Sequence, residues 1–489
     1  MMSIYRLQHA LLPGGWRSDV QVEVDAHGLI AAVGKRQGSA DPAPIDIRGF
    51  VVPGMPNAHS HAFQRAMSAD TEFRQSARDS FWTWRNAMYA LANRVSPAEL
   101  ELIARQLFIE MLEAGYTSVA EFHYLHRRED GAAYGASDGV RARARADVSA
   151  GDGEDANPLH AAVIAAARAT GIGLTFLPVL YQHSDFGAKP LREDQRRFYL
   201  GTAEFVELIR AQTRATHPAG LLRWGAAFHS LRAVGAEALA EVSAALREID
   251  PGMPVHIHIA EQVLEVKACL AATGKRPVEW LLDRGVLTPH WCLVHATQTR
   301  REELRGIAAS GASVCICTTT EANLGDGLFD TAFFLQAGGL ACIGSDSEVC
   351  VDPAEELRWL EYQQRLKRRR RAVLAGGGRG ASSRAGVGSE RHVGERLWAH
   401  AARAGARALG QAVGELRIGA RADWLVLDGD HPSLAGAPPE RALDRLVFGG
   451  GRAAIRDVMV GGRVVVRDGR HALRESSRRD FGCWMKKSI

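Results

Sequence analysis

The feature that most constrains this chain is an alternation of strand and helix repeated eight times across its middle. Short apolar runs recur at Val51–Pro53, Ser118–Phe122, Leu174–Leu180, Trp224–Phe228, Val255–Ile259, Trp291–Val294, Ser313–Cys317 and Ala341–Ile343, and several end in a polar cluster. Between many of them lie segments with apolar residues at helical spacing, such as Pro97–Ala114, Pro158–Thr170 and Ala236–Ile249. Eight alternations over roughly 300 residues predict an α/β fold, a (β/α)8 barrel, and barrel enzymes carry their chemistry at the C-terminal ends of the strands. The polar clusters should therefore converge on one mouth.

The flanks read differently. Val20–Val24, Leu29–Val33, Trp424–Leu427, Val458–Val460 and Arg463–Val466 are short β-like runs separated by turns. Together they predict a small β-sandwich domain built from both chain ends, residues 1–52 and 415–475, around a barrel of residues 53–414. The tail 476–489 has no assigned structure. Hydrophobic residues make up 46% of the 489 and charged residues 24%, which leaves material for a large core and excludes disorder or a coiled coil. The net charge of +4 is too small to imply a nucleic-acid or acidic-membrane partner. The basic run Lys367–Arg371, which opens a Gly/Ser/Arg-rich stretch to Gly394, reads as a solvated loop because no aromatic residues interleave with it. No apolar run reaches the ~18 residues needed to span a bilayer. Seven cysteines without C-x-x-C spacing point to a reducing cytoplasm.

The strongest chemical signal is His59-Ser60-His61, directly after a strand. Residues i and i+2 of an extended segment point the same way, so two imidazoles can grip one ion. An isolated H-x-H is more often incidental. Here it is joined by polar residues at three further strand ends. Strand five ends His256-Ile257-His258-Ile259-Ala260-Glu261, which offers His258 as a third ligand and Glu261 as a proton shuttle, with His256 a layer deeper. Strand six supplies His295 and strand eight Asp346. Any one of these alone would read as a satisfied core residue.

The segments PGMPNAHSHAFQRAM, HIHIAE, LVHAT, TTEANLGDG and GSDS resemble the metal-dependent amidohydrolase superfamily, and within it the deiminases of linear amidines that act in histidine degradation. The resemblance covers most of the chain. It implies hydrolysis of N-formimino-L-glutamate to N-formyl-L-glutamate and ammonia, with one zinc held by His59, His61, His258 and Asp346. Spacing alone would equally admit iron, manganese or nickel. It further implies Glu261, His295 and Asp346 as catalytic residues, and Gln64, Arg85, Tyr124, His229 and Arg232 as substrate-binding residues. Arg232 follows strand four directly, whereas Trp82 and Trp84 beside Arg85 could equally mark a lid packed on the core. A cytoplasmic homodimer with a small-molecule substrate, and with neither nucleic acid nor membrane as partner, is expected from the same resemblance. Family members often carry His where Gln298 stands, Pro where Thr318 stands and His where Glu348 stands; Glu348 is expected to face solvent. The stretch Ala136–Asp155 resembles nothing. The alternatives are another deaminase of the superfamily, acting on guanine, an adenosine-like compound or a triazine, and a catalytically dead barrel serving as a scaffold. A flat ring would call for stacking and amide contacts rather than an arginine, and a dead barrel would have lost ligands.

Overall fold

A computed structural model describes residues 2–35, 43–73, 80–135, 157–214, 220–376 and 391–488. Strands β1 (Ser3–Leu12), β2 (Gly15–Val24), β3 (Ile30–Lys35) and β4 (Ile45–Pro53) precede the barrel. The barrel strands are β5 (Met55–Ser60), β6 (Tyr116–His123), β7 (Gly173–Leu180), the divided pair β8 (Leu222–Trp224) and β9 (Ala226–Phe228), β10 (Val255–Ile259), β11 (Trp291–His295), β12 (Ser313–Ile316) and β13 (Leu340–Ile343). Strands β14 (Trp424–Leu427), β15 (Ile455–Val460), β16 (Arg463–Arg467) and β17 (Arg470–His471) follow.

The barrel strands run parallel in the order β13-β12-β11-β10-β9-β7-β6-β5, with β8 beside β7. Parallel strands covered on both faces need apolar residues throughout, and β6 and β7 are buried at every position. The β8–β9 break falls at Gly225, where a Cβ would meet Leu177 Cδ2 at 2.6 Å and the Pro254 carbonyl oxygen at 2.8 Å. Backbone bonds close the ring between its first and last strands. The Asp346 amide donates to the His59 carbonyl (3.0 Å) and the His61 amide to the Asp346 carbonyl (3.2 Å). Beneath, the helix Val393–Leu409 seals the N-terminal end: Thr175 and His256, pointing down the barrel, donate to the Leu409 and Ala408 carbonyls at its C-terminus, each at 2.8 Å. His256 is thus one layer below the mouth.

The flanking strands form one eight-stranded sheet, β17-β16-β15-β14-β4-β1-β2-β3, in which β14 pairs with β4 and so joins the two chain ends. Its own small core gathers Leu7, Val22, Trp424 and Met459.

One expectation is corrected here, and one unassigned segment is placed. The run Val51–Pro53 is not the first barrel strand but the end of β4, hydrogen-bonded to β1 and β14. The barrel begins two residues later, past Gly54, with Met55–Ser60, which has no Val, Ile, Thr, Phe, Tyr or Trp to mark it as a strand. Gly54 makes the passage possible, because a Cβ there would lie 2.2 Å from Thr117 Cγ2. The tail is a helix, Arg474–Ser488, packed on Pro97–Ala114 through Phe481, Trp484 and Met485, with the Trp484 indole N–H donating to Glu99 (2.8 Å). Residues 136–155 and most of the Gly/Ser/Arg-rich stretch, 377–390, lie outside the described residues.

Candidate metal centre and active site

Five non-glycine residues at the mouth sit in the left-handed region: Ala260 (φ 50°), His295 (68°), Ala296 (51°), Asp346 (52°) and Glu348 (60°). Backbone strain of this kind persists only where surrounding structure enforces it, and it clusters at functional sites. Here it turns the strand ends inward. His59 Nε2 lies 3.1 Å from His61 Nε2 and 2.9 Å from His258 Nε2, while Asp346 Oδ1 lies 3.3 Å and 3.4 Å from the first two.

The donor chemistry of this cluster fits a divalent cation. His61 Nδ1 pairs with the Phe122 carbonyl (3.0 Å) and His258 Nδ1 with the His229 carbonyl (3.1 Å). Carbonyls only accept, so both rings carry their proton on Nδ1 and present the Nε2 lone pair inward. Lone pairs aimed at one another in a buried site are satisfied by a cation. Burial also keeps the rings neutral: it lowers His59 and His258 and brings His61 down to about 3. Burial opposes the Asp346 charge, yet the hydrogen bond to His59 and the nearby His295 hold its carboxyl well below the usual range. Three imidazoles and one carboxylate suit zinc and several other divalent ions.

A second group surrounds His295. Its Nδ1 lies 3.3 Å from Glu321 Oε1, and its Nε2 lies 3.6 Å from Asp346 Oδ2 and 3.8 Å from Glu261 Oε1. Burial works against protonation of this ring, but Glu261, Glu321 and Asp346 overcome it and raise His295 well above its ordinary value. Burial likewise pushes Glu261 up to about 7. The Glu261 backbone is fixed independently of its side chain, because Glu265 accepts from the amides of Ala260 (3.1 Å) and Glu261 (3.0 Å).

Gln64, Arg85, Tyr124, His229 and Arg232 all line one cavity together with His61, His258, Glu261, His295 and Asp346. The guanidiniums of Arg85 and Arg232 lie 4.3 Å and 5.9 Å from the Trp82 ring. Each has a buried Nε without a partner. Gln64 donates to the Tyr124 hydroxyl (3.0 Å), which leaves its own buried carbonyl oxygen free. Unpaired buried donors in a cavity are costly unless a ligand accepts from them.

Glu348 is a correction. It is fully buried rather than solvent-facing, and burial raises it well above its ordinary value against the opposing pull of the Ser345 and Ser60 hydroxyls. The left-handed turn at Asp346 and Glu348 folds its side chain in, which local sequence does not announce. The other two departures have structural partners: Thr318 Oγ1 donates to Glu356 (2.6 Å), and Gln298 Nε2 bridges the carbonyls of Glu261 (3.2 Å) and Asp326. Sequence reasoning assigned no role to Glu265, Glu321 and Asp326 around the proton-transfer group, or to Phe81, Met88 and Tyr89 in the cavity wall, where Trp84 also lies. Glu321 and Asp326 stand within the segment TTEANLGDG, in the connection that follows β12.

Fold and site together define the class: the chain belongs to the amidohydrolase family, whose pattern matches residues 50–465. It is 46% identical over 480 residues to the formimidoylglutamate deiminase of Pseudomonas aeruginosa, covering 98% of each chain. A crystal structure of an amidohydrolase from Brucella melitensis superposes with a TM-score of 0.86 at 39% identity, over 99% of both chains. A more distant relative is the 5-methylthioadenosine/S-adenosylhomocysteine deaminase of Halobacterium salinarum, 28% identical over 92% of this chain and 88% of that one.

Proposed function

We propose that this chain is a zinc-dependent deiminase that hydrolyses N-formimino-L-glutamate to N-formyl-L-glutamate and ammonia in histidine degradation. The observation that carries the reading is one cavity lined both by Arg85 and Arg232, each with a buried Nε that has no partner, and by His61, His258 and Asp346 of the four-residue cluster completed by His59. A dicarboxylate with an amidine at one end matches that layout. The 46% identity to the deiminase of Pseudomonas aeruginosa supports the same substrate.

In the reaction, water gives its oxygen to the formimino carbon and both its protons to the terminal nitrogen, which leaves as ammonia. Zinc, when bound, supplies the Lewis acidity that makes water a nucleophile near neutral pH. Glu261, with its carboxyl near 7, takes a proton from the water and passes one to the departing nitrogen. His295, kept cationic by its carboxylate neighbours, stabilises the negative charge that builds on the attacking oxygen. Asp346 has both a ligand role and, through Oδ2, a share in proton transfer. Arg85 and Arg232 take the carboxylates, with Gln64, Tyr124 and His229 orienting the chain between. Cytoplasmic location and a homodimer complete the reading, the former supported by seven free thiols. Ammonia release from a panel of N-formiminoglutamate, N-formiminoaspartate, guanine and adenosine tests the substrate, and preferential turnover of either purine overturns it.

Substituting Arg232 by Met separates carboxylate binding from chemistry. A charge-assisted contact is worth roughly 1.5–3 kcal/mol, so kcat/KM for N-formiminoglutamate should fall about ten- to several-hundred-fold with metal content unchanged. A formimino compound lacking that carboxylate should lose much less, which steady-state kinetics on both substrates will show. Equal losses would mean that Arg232 supports the wall instead.

A further inference from the structure

Asp326 follows the short helix Thr318–Leu324 and is 6% exposed. Its Oδ1 accepts from the Gln262 amide, while Oδ2 is buried and has no partner. One carboxylate oxygen of Asp326, one of Glu261 and a ring nitrogen of His295 lie within 4.8 Å of one another. Unlike Glu261, Asp326 does not line the substrate cavity. Three main-chain contacts hold it behind Glu261. Its amide donates to the Glu321 carbonyl (2.9 Å), its carbonyl accepts from Gln298, and Gln298 also grips the Glu261 carbonyl. The Asp326 carboxylate is thus held by Gln262 at one oxygen, with Glu261 and His295, groups that act on the reacting proton, close beside it.

We propose that Asp326 is a positioning residue for Glu261, its Oδ2 sharing one hydrogen with the Glu261 carboxyl and so fixing which Glu261 oxygen faces the cavity. Two carboxyls this close do not both ionise, and one retained proton bonded between them satisfies the orphaned oxygen. The groups facing Asp326 are Glu261 and Gln262 after β10, His295 at the end of β11 and Gln298 after it, Glu321 on the helix Thr318–Leu324 and Asp346 after β13. Burial and the neighbouring Glu261 charge raise the Asp326 carboxyl, and because Glu261 takes a proton from water only when ionised, the shared proton resides on Asp326 and the bond favours ionised Glu261. The inference rests on the reading of Glu261 as the proton carrier.

The test compares zinc-loaded wild type, Asp326→Asn and Asp326→Leu on N-formiminoglutamate across pH. Asn keeps an N–H donor and Leu keeps the shape alone. With Leu, kcat should drop about ten- to a hundredfold with little change in KM, and the acid limb of kcat/KM should move up by about one pH unit because ionised Glu261 loses its donor. With Asn, both should stay near wild type. Infrared difference spectra of wild type against Asp326→Asn should show one protonated-carboxyl band lost at neutral pH. An unmoved acid limb in Asp326→Leu, an Asn variant as impaired as Leu, or an unchanged infrared band overturns the proposal. So does a second equivalent of zinc that Asp326→Leu fails to bind. Should the Leu variant not fold, Asp326→Ala takes its place, and the infrared comparison stands without either. Wild type inactive on N-formiminoglutamate would instead defeat the functional reading, and the infrared result would still decide the Asp326 bond.

Discussion

Replacing His59 and His61 together with Ala is expected to take metal content from one divalent ion per chain toward none and to reduce turnover to background, while the barrel stays folded. The site loses two of its three inward-facing imidazole nitrogens, and the remaining His258 and Asp346 leave a coordination too poor for a tight tetrahedral ion. The fold survives for a reason visible at the same residues. What joins the first and last strands is the His59 carbonyl and the His61 amide, each bonded to the Asp346 backbone, and alanine retains both. The imidazoles add little to packing energy beyond their area and are uncomfortable as a group without an ion: burial strips His61 of its proton down to about 3. Elemental analysis gives the metal content, and circular dichroism with thermal unfolding gives the fold. Full metal occupancy in the double variant would remove the assignment. Collapse of the fold with metal loss would instead make the ion structural.

The parts of this site that were legible in the sequence are those for which a local pattern carries the information. An H-x-H at a strand end, a His three residues before a Glu, and single His and Asp residues closing later strands are visible because barrel strands deliver their last residues to one place. What was not legible depends on chain folding back from elsewhere. Glu265 touches the site only because the helix Val263–Thr273 turns its first residues onto the Ala260 and Glu261 amides. Glu321 and Asp326 belong to a loop and helix that cap β12, and a carboxylate in a helix's first turn reads from sequence as an ordinary capping charge. Glu348 read as solvent-facing because an isolated acid near a loop usually is; nothing local says that two left-handed residues will fold it inward. Met55–Ser60 was hidden for the opposite reason, since its Pro, Asn and Ser are turn formers held in a strand only by neighbours on both sides. The tail helix did leave a trace, Phe481, Trp484 and Met485 at helical spacing, on a segment otherwise too polar to stand out.

Glu261→Gln is expected to keep the metal and lose activity by a factor on the order of 10² to 10⁴, the usual worth of a positioned proton-transfer group. The amide is nearly isosteric, and the Glu261 backbone is held by Glu265 and Gln298 rather than by its own side chain, so geometry around the ion should not change. The same substitution should act on stability with the opposite sign. Burial raises the folded-state carboxyl to about 7, above its unfolded value near 4.5, so the folded chain binds this proton more tightly than the unfolded chain does. That contribution is fully present below the unfolded value and is lost as pH rises through about 7, because the folded chain must then bury a charge. Glutamine never ionises. Relative to wild type, the variant should therefore unfold at a higher temperature as pH is raised from 5 to 9, while its turnover stays low throughout. Thermal melts and kinetics on the same metal-loaded samples measure both. Near wild-type turnover with metal bound would hand proton transfer to another group. A loss of stability at high pH, in place of a gain, would mean that the Glu261 charge is held by His295 strongly enough to be part of the fold.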